Sequence, residues 1–201
     1  MQLIMSLTSP YARKVRVVLL EKALPFEGVV DIPWNPDTQV PDFNPLGKVP
    51  VLHLQDGTML YDSRVIVQFL EQFHPEPALL PQGMSRIHAL RVEALADGII
   101  DAAVAIFLER KRPEAMQDAA WINRQEHKIQ RGLLAAEGEL AMHAWCVDGC
   151  FGLADIALGC MLDYLDLRLD LPWRDQHPRL ANLLERLNQR PAFAETAPPR
   201  Q

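Results

Sequence analysis

Two periodicities divide the chain. As far as Phe73, apolar residues come in short runs broken by turn residues; beyond Gly83 they recur every three to four positions over long stretches. In the first part, residues 2–6 read as a buried strand. Residues 10–22 read as a helix with Val15, Val18 and Leu19 inward and Lys22 near its C-terminal end, where a cation suits the helix dipole. Residues 26–32, opened by Pro25, form a second strand, and the spacing of this βα unit predicts parallel pairing with the first. Residues 33–45 are rich in Pro, Asn and Asp and predict a loop with one irregular helical turn. Residues 49–54 and 58–61 are strands joined by the hairpin signal Asp56-Gly57. Asp62-Ser63 opens a further helix, with Val65, Ile66, Phe69, Leu70 and Phe73 expected to face inward.

His74-Pro75-Glu76-Pro77 ends that helix, because proline cannot continue it. The strand signals then stop. Residues 84–112 predict a long helix with Val92, Leu95, Ile99, Ala102 and Ile106 at heptad spacing. Helices follow over 119–145, 152–169 and 178–189; the third of the four is the most apolar and is expected to be central. The proline-rich segment from Pro191 is expected to lie irregularly on the surface. The pattern therefore predicts an α/β domain over residues 1–76, a linker over 77–83 and an all-helical domain over 84–201.

Composition narrows the function classes. Six basic side chains stand against nine acidic ones up to Glu76, and 14 against 17 after it, within a net charge of −6. Neither half carries a basic stripe, so nucleic acid and anionic membrane surfaces are not expected partners. No apolar run is long enough to span a bilayer, and no export signal is expected at the N-terminus. Cys146, Cys150 and Cys160 are odd in number and lack CxxC spacing, which argues against a disulfide framework or a zinc site and fits a reducing cytoplasm. The histidines show no ligand spacing, and no metal is expected.

Three stretches carry candidate chemistry. In Thr8-Ser9-Pro10-Tyr11, Pro10 suits a first helical position and Ser9 becomes the N-cap, its hydroxyl at a helix end that attracts anions such as a thiolate. Thr8 is a rival for the hydroxyl role, and plain capping is the simpler function for Ser9. In Asn44-Pro45-Leu46-Gly47-Lys48-Val49-Pro50, a cis Val49–Pro50 bond would expose the N–H and C=O of Val49 to an extended peptide; the alternative is an edge-strand proline. At Tyr61-Asp62-Ser63, the hydroxyl and N–H groups of Ser63 suit a carboxylate and Asp62 suits an ammonium, matching both ends of an α-amino acid; simple capping is again the alternative. Asp97 and Asp101 share one helix face, which reads as a polar or cross-subunit surface sooner than an acid–base couple.

Together these stretches resemble the glutathione transferase family over nearly the whole chain, and most closely a bacterial, serine-type subgroup. Ser9-Pro10-Tyr11-Ala12 falls where related glutaredoxins carry Cys-Pro-Tyr-Cys. Residues 44–52 resemble the cis-proline segment, Asp62-Ser63 the Glu/Gln-Ser pair for the γ-glutamyl group, and Ala96-Asp97-Gly98 the segment whose aspartate reaches the partner subunit's glutathione. Phe151-Gly152-Leu153-Ala154-Asp155 resembles the folding motif Ser/Thr-x-x-Asp, with glycine in place of the cap hydroxyl.

The resemblance implies a thioredoxin-like N-terminal domain, an all-α C-terminal domain and a homodimer. It implies that glutathione binds at Ser9, Lys48, Val49, Asp62, Ser63 and Asp97, with Pro50 as the structural cis-proline and Ser9 as the catalytic residue. The expected reaction is transfer of the glutathione thiolate to a small, partly apolar electrophile, a detoxification chemistry. A glutathione-binding regulatory or partner protein with little turnover, and a glutathione-dependent disulfide reductase, are the alternatives. Arg13 is expected either to add positive potential at the sulfur or to pair with an acidic neighbour, and Trp34 to pack in its loop or wall the glycine end. The CPYC-like turn has no thiol, which excludes dithiol chemistry by the protein itself.

Overall fold

The computed structural model describes residues 1–199. The chain divides into two compact units: Met1–Leu79 together with the chain from Arg190, and Leu80–Gln189.

The first unit is a four-stranded sheet in the order β2-β1-β3-β4. Strand β1 (Gln2–Met5) leads into helix α1 (Pro10–Glu21), which returns the chain to β2 (Glu27–Val30) parallel to β1. A single turn α2 (Val40–Phe43) precedes β3 (Val51–His53), which runs antiparallel to β1, and β4 (Met59–Leu60) closes the hairpin before helix α3 (Ser63–Phe73). The order, a βαβ unit then a hairpin and a closing helix, is the one the alternation of short strands and helices predicts, and it is the thioredoxin-like arrangement the resemblance implies. Ile4, Val40 and Val51 form a buried cluster against which Val29, Phe43, Val49, Met59 and Tyr61 pack.

One local expectation is corrected in this unit and another is extended. In α3 the buried face carries Ser63, Ile66, Val67, Leu70 and Glu71, while Val65 and Phe73 are exposed. Lys22 is the C-cap of α1 and does more than face a dipole: its Nζ is buried against the Glu71 carboxylate at 2.7 Å and donates to the carbonyls of His74 and Pro77 at 2.8 and 2.7 Å. Glu71 in turn accepts from the Leu79 N–H at 3.2 Å. This buried pair is tolerated because carbonyls and a carboxylate supply its partners, and it ties the segment after α3 to α1.

The second unit is helical: α4 (Gly83–Arg110), a 3₁₀ turn (Glu114–Met116), α5 (Ala119–Glu139), α6 (Leu153–Arg168), α7 (Trp173–Gln176) and α8 (Pro178–Asn188). Helix α4 packs on both α5 and α6, and α8 on α5 and α6. Twelve of the residues of α6 are buried, which makes it the central helix, as its near-continuous apolar run predicts. Helix α5 ends six residues short of Trp145, with Leu140 as its C-cap; residues 141–149 form a turn-rich segment with Asp148 and Gly149 at positive φ. The heptad residues Val92, Ile99, Ala102 and Ile106 of α4 are buried within this chain's own unit and are not a free surface.

The segment from Pro191 is not irregular. It forms a short helix α9 (Pro191–Glu195) with Phe193 fully buried, and it belongs to the α/β unit, packed on α1. Proline at the first helical position starts this helix without loss of a hydrogen bond. The count of prolines concealed the apolar anchor Phe193.

Candidate functional site

Strand register collects the candidate residues at one end of the sheet. In the β1–β3 ladder Gln2, Leu3 and Ile4 pair with His53, Leu52 and Val51, so the next steps set Ser6 opposite Val49. In the β3–β4 ladder His53 and Leu52 pair with Met59 and Leu60, so the next steps set Pro50 opposite Asp62. The loop into α1, the start of β3 and the start of α3 therefore share this end. The Val49–Pro50 and Tyr61–Asp62 peptide bonds are both cis.

Ser9 is the N-cap of α1, with extended backbone and Pro10 at the first helical position. Its Oγ accepts from the Ala12 N–H at 3.2 Å. A hydroxyl has one proton and two lone pairs, so capping leaves its proton available to an outside acceptor. The Thr8 hydroxyl, by contrast, shares a 3.2 Å hydrogen bond with the Ser6 hydroxyl. Ser9 itself is half-buried beside the buried Pro10.

Val49 precedes β3 and lies outside the β1–β3 ladder, so that ladder does not use its N–H and C=O. The turn before it is built by Asn44. This buried side chain donates through Nδ2 to the Lys48 carbonyl at 2.8 Å and accepts at Oδ1 from the Leu46 N–H at 3.0 Å. Gly47, at φ +61°, donates to the Asn44 carbonyl at 2.8 Å and occupies a conformation few other residues adopt. Asn44 is the positioning residue sequence reasoning passed over, although an Asx turn before Pro-x-Gly is a legible signal. The Lys48 side chain is exposed.

At α3 the N-cap is Asp62, with Ser63 the first helical residue. Asp62 Oδ1 accepts from the Arg64 N–H and Oδ2 from the Arg64 guanidinium, both at 3.0 Å. Burial works against ionisation of this carboxyl, but the bonds and charge of Arg64 outweigh it and hold the group below the ordinary carboxylate range. The Ser63 side chain is buried. Arg64 is the second residue not foreseen; an arginine two positions after a capping aspartate was its signal.

Asp97 lies on α4 in the helical unit and is buried, whereas Asp101 is exposed. Arg13 is buried and bonded to residues of α9 and its C-cap. Trp34 is largely exposed. Among the described residues no group of three His, Cys, Asp or Glu side chains could hold a metal ion, no disulfide joins the cysteines, and no helix is long and apolar enough to cross a membrane. Burial, then the Asp155 charge, pushes the Cys146 thiol far up, which suits a packing role.

Residues 8–72 match the glutathione S-transferase N-terminal domain, and residues 119–186 match the glutathione S-transferase C-terminal domain. The chain belongs to the glutathione S-transferase family. The GST-like protein YibF of Escherichia coli (strain K12) is 41% identical over 207 aligned residues, covering all of both chains. Among solved structures, a glutathione S-transferase from Methylobacterium radiotolerans, in complex with glutathione sulfonate, is 48% identical with a TM-score of 0.96, covering 100% of this chain and 95% of that one. A glutathione S-transferase from Methylobacillus flagellatus with glutathione bound is 50% identical with a TM-score of 0.95, covering 98% and 99%.

Proposed function

We propose that this protein is a serine-type glutathione transferase, which binds glutathione at the sheet end described above and delivers its sulfur to a small, partly apolar electrophile. The observation that carries the reading is Ser9: a capping hydroxyl with its proton to spare, at the start of α1, on the sheet end shared by Val49 and Asp62-Ser63. The peptide lies along Val49 as one more strand and pairs with its N–H and C=O. The γ-glutamyl carboxylate meets the Ser63 hydroxyl and the N–H groups opening α3, and its ammonium meets Asp62. Lys48 faces the glycine end from solvent. Binding of glutathione and of glutathione sulfonate by two relatives about half identical supports this placement.

A free thiol with pKa near ~8.5 is mostly protonated at neutral pH. The Ser9 proton and the positive end of α1 favour the anion, so the thiol proton passes to solvent and the sulfur attacks the electrophile. The new bond is carbon–sulfur; the electron pair displaced leaves with the electrophile's leaving group or is taken up by its activated double bond.

A cytoplasmic homodimer belongs to the same reading, with Asp97 assigned to the glutathione site of the second copy. The dimer is supported by α3, where Val65 and Phe73 are 47% and 61% exposed and the Phe69 and Phe73 rings lie 4.8 Å apart, tilted by 35°, on the same stripe. The test is the ultraviolet thiolate absorbance of bound glutathione as a function of pH. A bound thiol that ionises below free glutathione, and loses that advantage in Ser9→Ala, supports the transferase. Binding without turnover on a panel of electrophiles and disulfides selects a partner protein instead.

A further inference from the structure

The turn ahead of β3 is held by one amide side chain. Asn44 is 3% exposed and is the C-cap of α2, its N–H donating to the carbonyl of the fully buried Val40 at 2.9 Å. Its side chain meets two backbone groups of opposite need. Nδ2 donates to the Lys48 carbonyl at 2.8 Å, and Oδ1 accepts from the Leu46 N–H at 3.0 Å. An amide serves both from one planar group. A carboxylate would answer the N–H and leave the carbonyl facing negative charge.

The Lys48 carbonyl belongs to the peptide unit whose N–H is that of Val49. This unit is trans; the cis bond of the segment is the next one, Val49–Pro50. In a trans peptide the C=O and N–H point in opposite directions within one plane. With its carbonyl tied to buried Asn44, the Val49 N–H is aimed away from Asn44. The same bond polarises the unit and makes that N–H a stronger donor. Gly47, at φ +61°, has no side chain with which to brace the plane. The braces are Asn44 on one side and the Val49 side chain on the other, which packs against the buried cluster of Ile4, Val40 and Val51.

We propose that Asn44 sets the direction and strength of the Val49 N–H as a donor to the ligand's peptide backbone, and so selects ligands that carry a carbonyl acceptor at that point. Asn44 acts through the Lys48–Val49 peptide and is a positioning residue. The assignment rests on the glutathione reading above. In an antiparallel hydrogen-bonded pair, each residue exchanges its N–H and its C=O with the residue opposite. The cysteinyl residue of glutathione is the one with an amide on each side, so its carbonyl is the acceptor for the Val49 N–H. γ-Glutamylcysteine keeps that oxygen, as a carboxylate, and lacks the glycine; γ-glutamylcysteamine lacks both.

Calorimetric titration of these three ligands into the full-length protein and its variants is the test, with weak binding read by displacement of glutathione. Asn44→Asp keeps an acceptor for the Leu46 N–H and loses the donor to the Lys48 carbonyl. It is expected to weaken glutathione and γ-glutamylcysteine about tenfold and to leave γ-glutamylcysteamine within about twofold, which also shows the site folded. Asn44→Ala, which adds no charge, is expected to lose about fivefold on the same two ligands. Equal losses on all three ligands in both variants, as a general collapse of the turn would give, overturn the proposal. So does a loss confined to glutathione, which places the effect at the glycine end, or no loss on any ligand. A second measurement needs no variant. In the wild type, hydrogen exchange at the Val49 amide is expected to slow about tenfold with saturating glutathione and to stay within about twofold with γ-glutamylcysteamine; equal protection by both overturns the proposal. Wild-type protein that binds none of the three overturns the glutathione reading itself and this assignment with it.

Discussion

Two aspartates stand at helix N-termini and have opposite fates. Asp62 caps α3 at the rim of the sheet, more than half exposed, with Arg64 beside it; Asp155 stands one turn into α6 and is fully buried. Asp155 accepts from the Cys146 N–H at 2.9 Å and from the Gly152 N–H at 3.0 Å, so one carboxylate closes the loop and the helix start together. Gly152 has no side chain to return the bond, and the reciprocal capping box is reduced to its acidic half. Burial pushes the Asp155 carboxyl up despite those two bonds, while Arg64 holds the Asp62 carboxyl down despite partial burial. The same residue type at the same kind of helix end is thus a buried structural staple where water is excluded and a solvent-facing ionised cap where water is present.

The largest expected effect is on the staple. Asp155→Ala leaves two backbone donors without an acceptor, at about 1–3 kcal/mol each, so urea unfolding should show a loss of about 2–5 kcal/mol. Glutathione affinity of the remaining folded protein should be unchanged. A loss under about 1 kcal/mol would break the contrast by making Asp155 no more structural than an exposed cap.

Charge state sharpens the same contrast through pH. A carboxyl raised in the folded state stabilises most fully below its unfolded pKa, near ~3.9, and that contribution fades as pH rises through the folded value. Asp62, lowered in the folded state, contributes above its unfolded pKa, and its contribution fades as pH falls through the folded value. Between about pH 3.5 and 6, the stability difference between wild type and Asp155→Asn should therefore shrink with rising pH, while that between wild type and Asp62→Asn should grow and level off. Parallel curves would refute the assignment of opposite shifts.

Ser9 is a third capping residue, and it divides the two roles within one side chain. Ser9→Ala removes a cap worth ~1 kcal/mol of stability. On the proposed transferase reading it also removes the donor to the sulfur anion, with an expected loss of about 10²-fold in kcat/KM. Ser9→Gly keeps most of the helix start and should lose activity equally; activity retained by either variant would move the role to Thr8.

Much of this contrast was legible in the sequence and part of it was not. Pro10 and the Ser9 hydroxyl announce the start of α1 by local rules, and the Val49-Pro50 and Asp62-Ser63 stretches stand at the strand and helix starts their neighbours predict. Short-range chemistry fixed these. The Arg64 partner of Asp62 was within reach of the same rules. The partners of Arg13 were not: Thr196 is 183 residues away, and a proline-rich segment gives no periodicity from which to place it. The inward face of α3 was misread because Val65 and Phe73 are apolar yet exposed; periodicity counts apolar residues without knowing what covers them.

The smallest effect is expected at Arg64. Its side chain and that of Asp62 are 52% and 54% exposed, so the pair should stabilise the fold by less than about 1 kcal/mol. Arg64→Ala keeps the backbone N–H that Asp62 Oδ1 accepts, so the α3 cap survives. What it removes is the guanidinium bond to Oδ2 and its charge, which lets the Asp62 carboxyl rise toward its ordinary range. The expected result is near wild-type stability at pH 7 with the acid-side decline beginning at higher pH, measured by urea unfolding at both ends of that window. If Arg64→Ala instead costs as much as Asp155→Ala, exposure does not separate the two carboxylates, and Asp62 belongs with the staples.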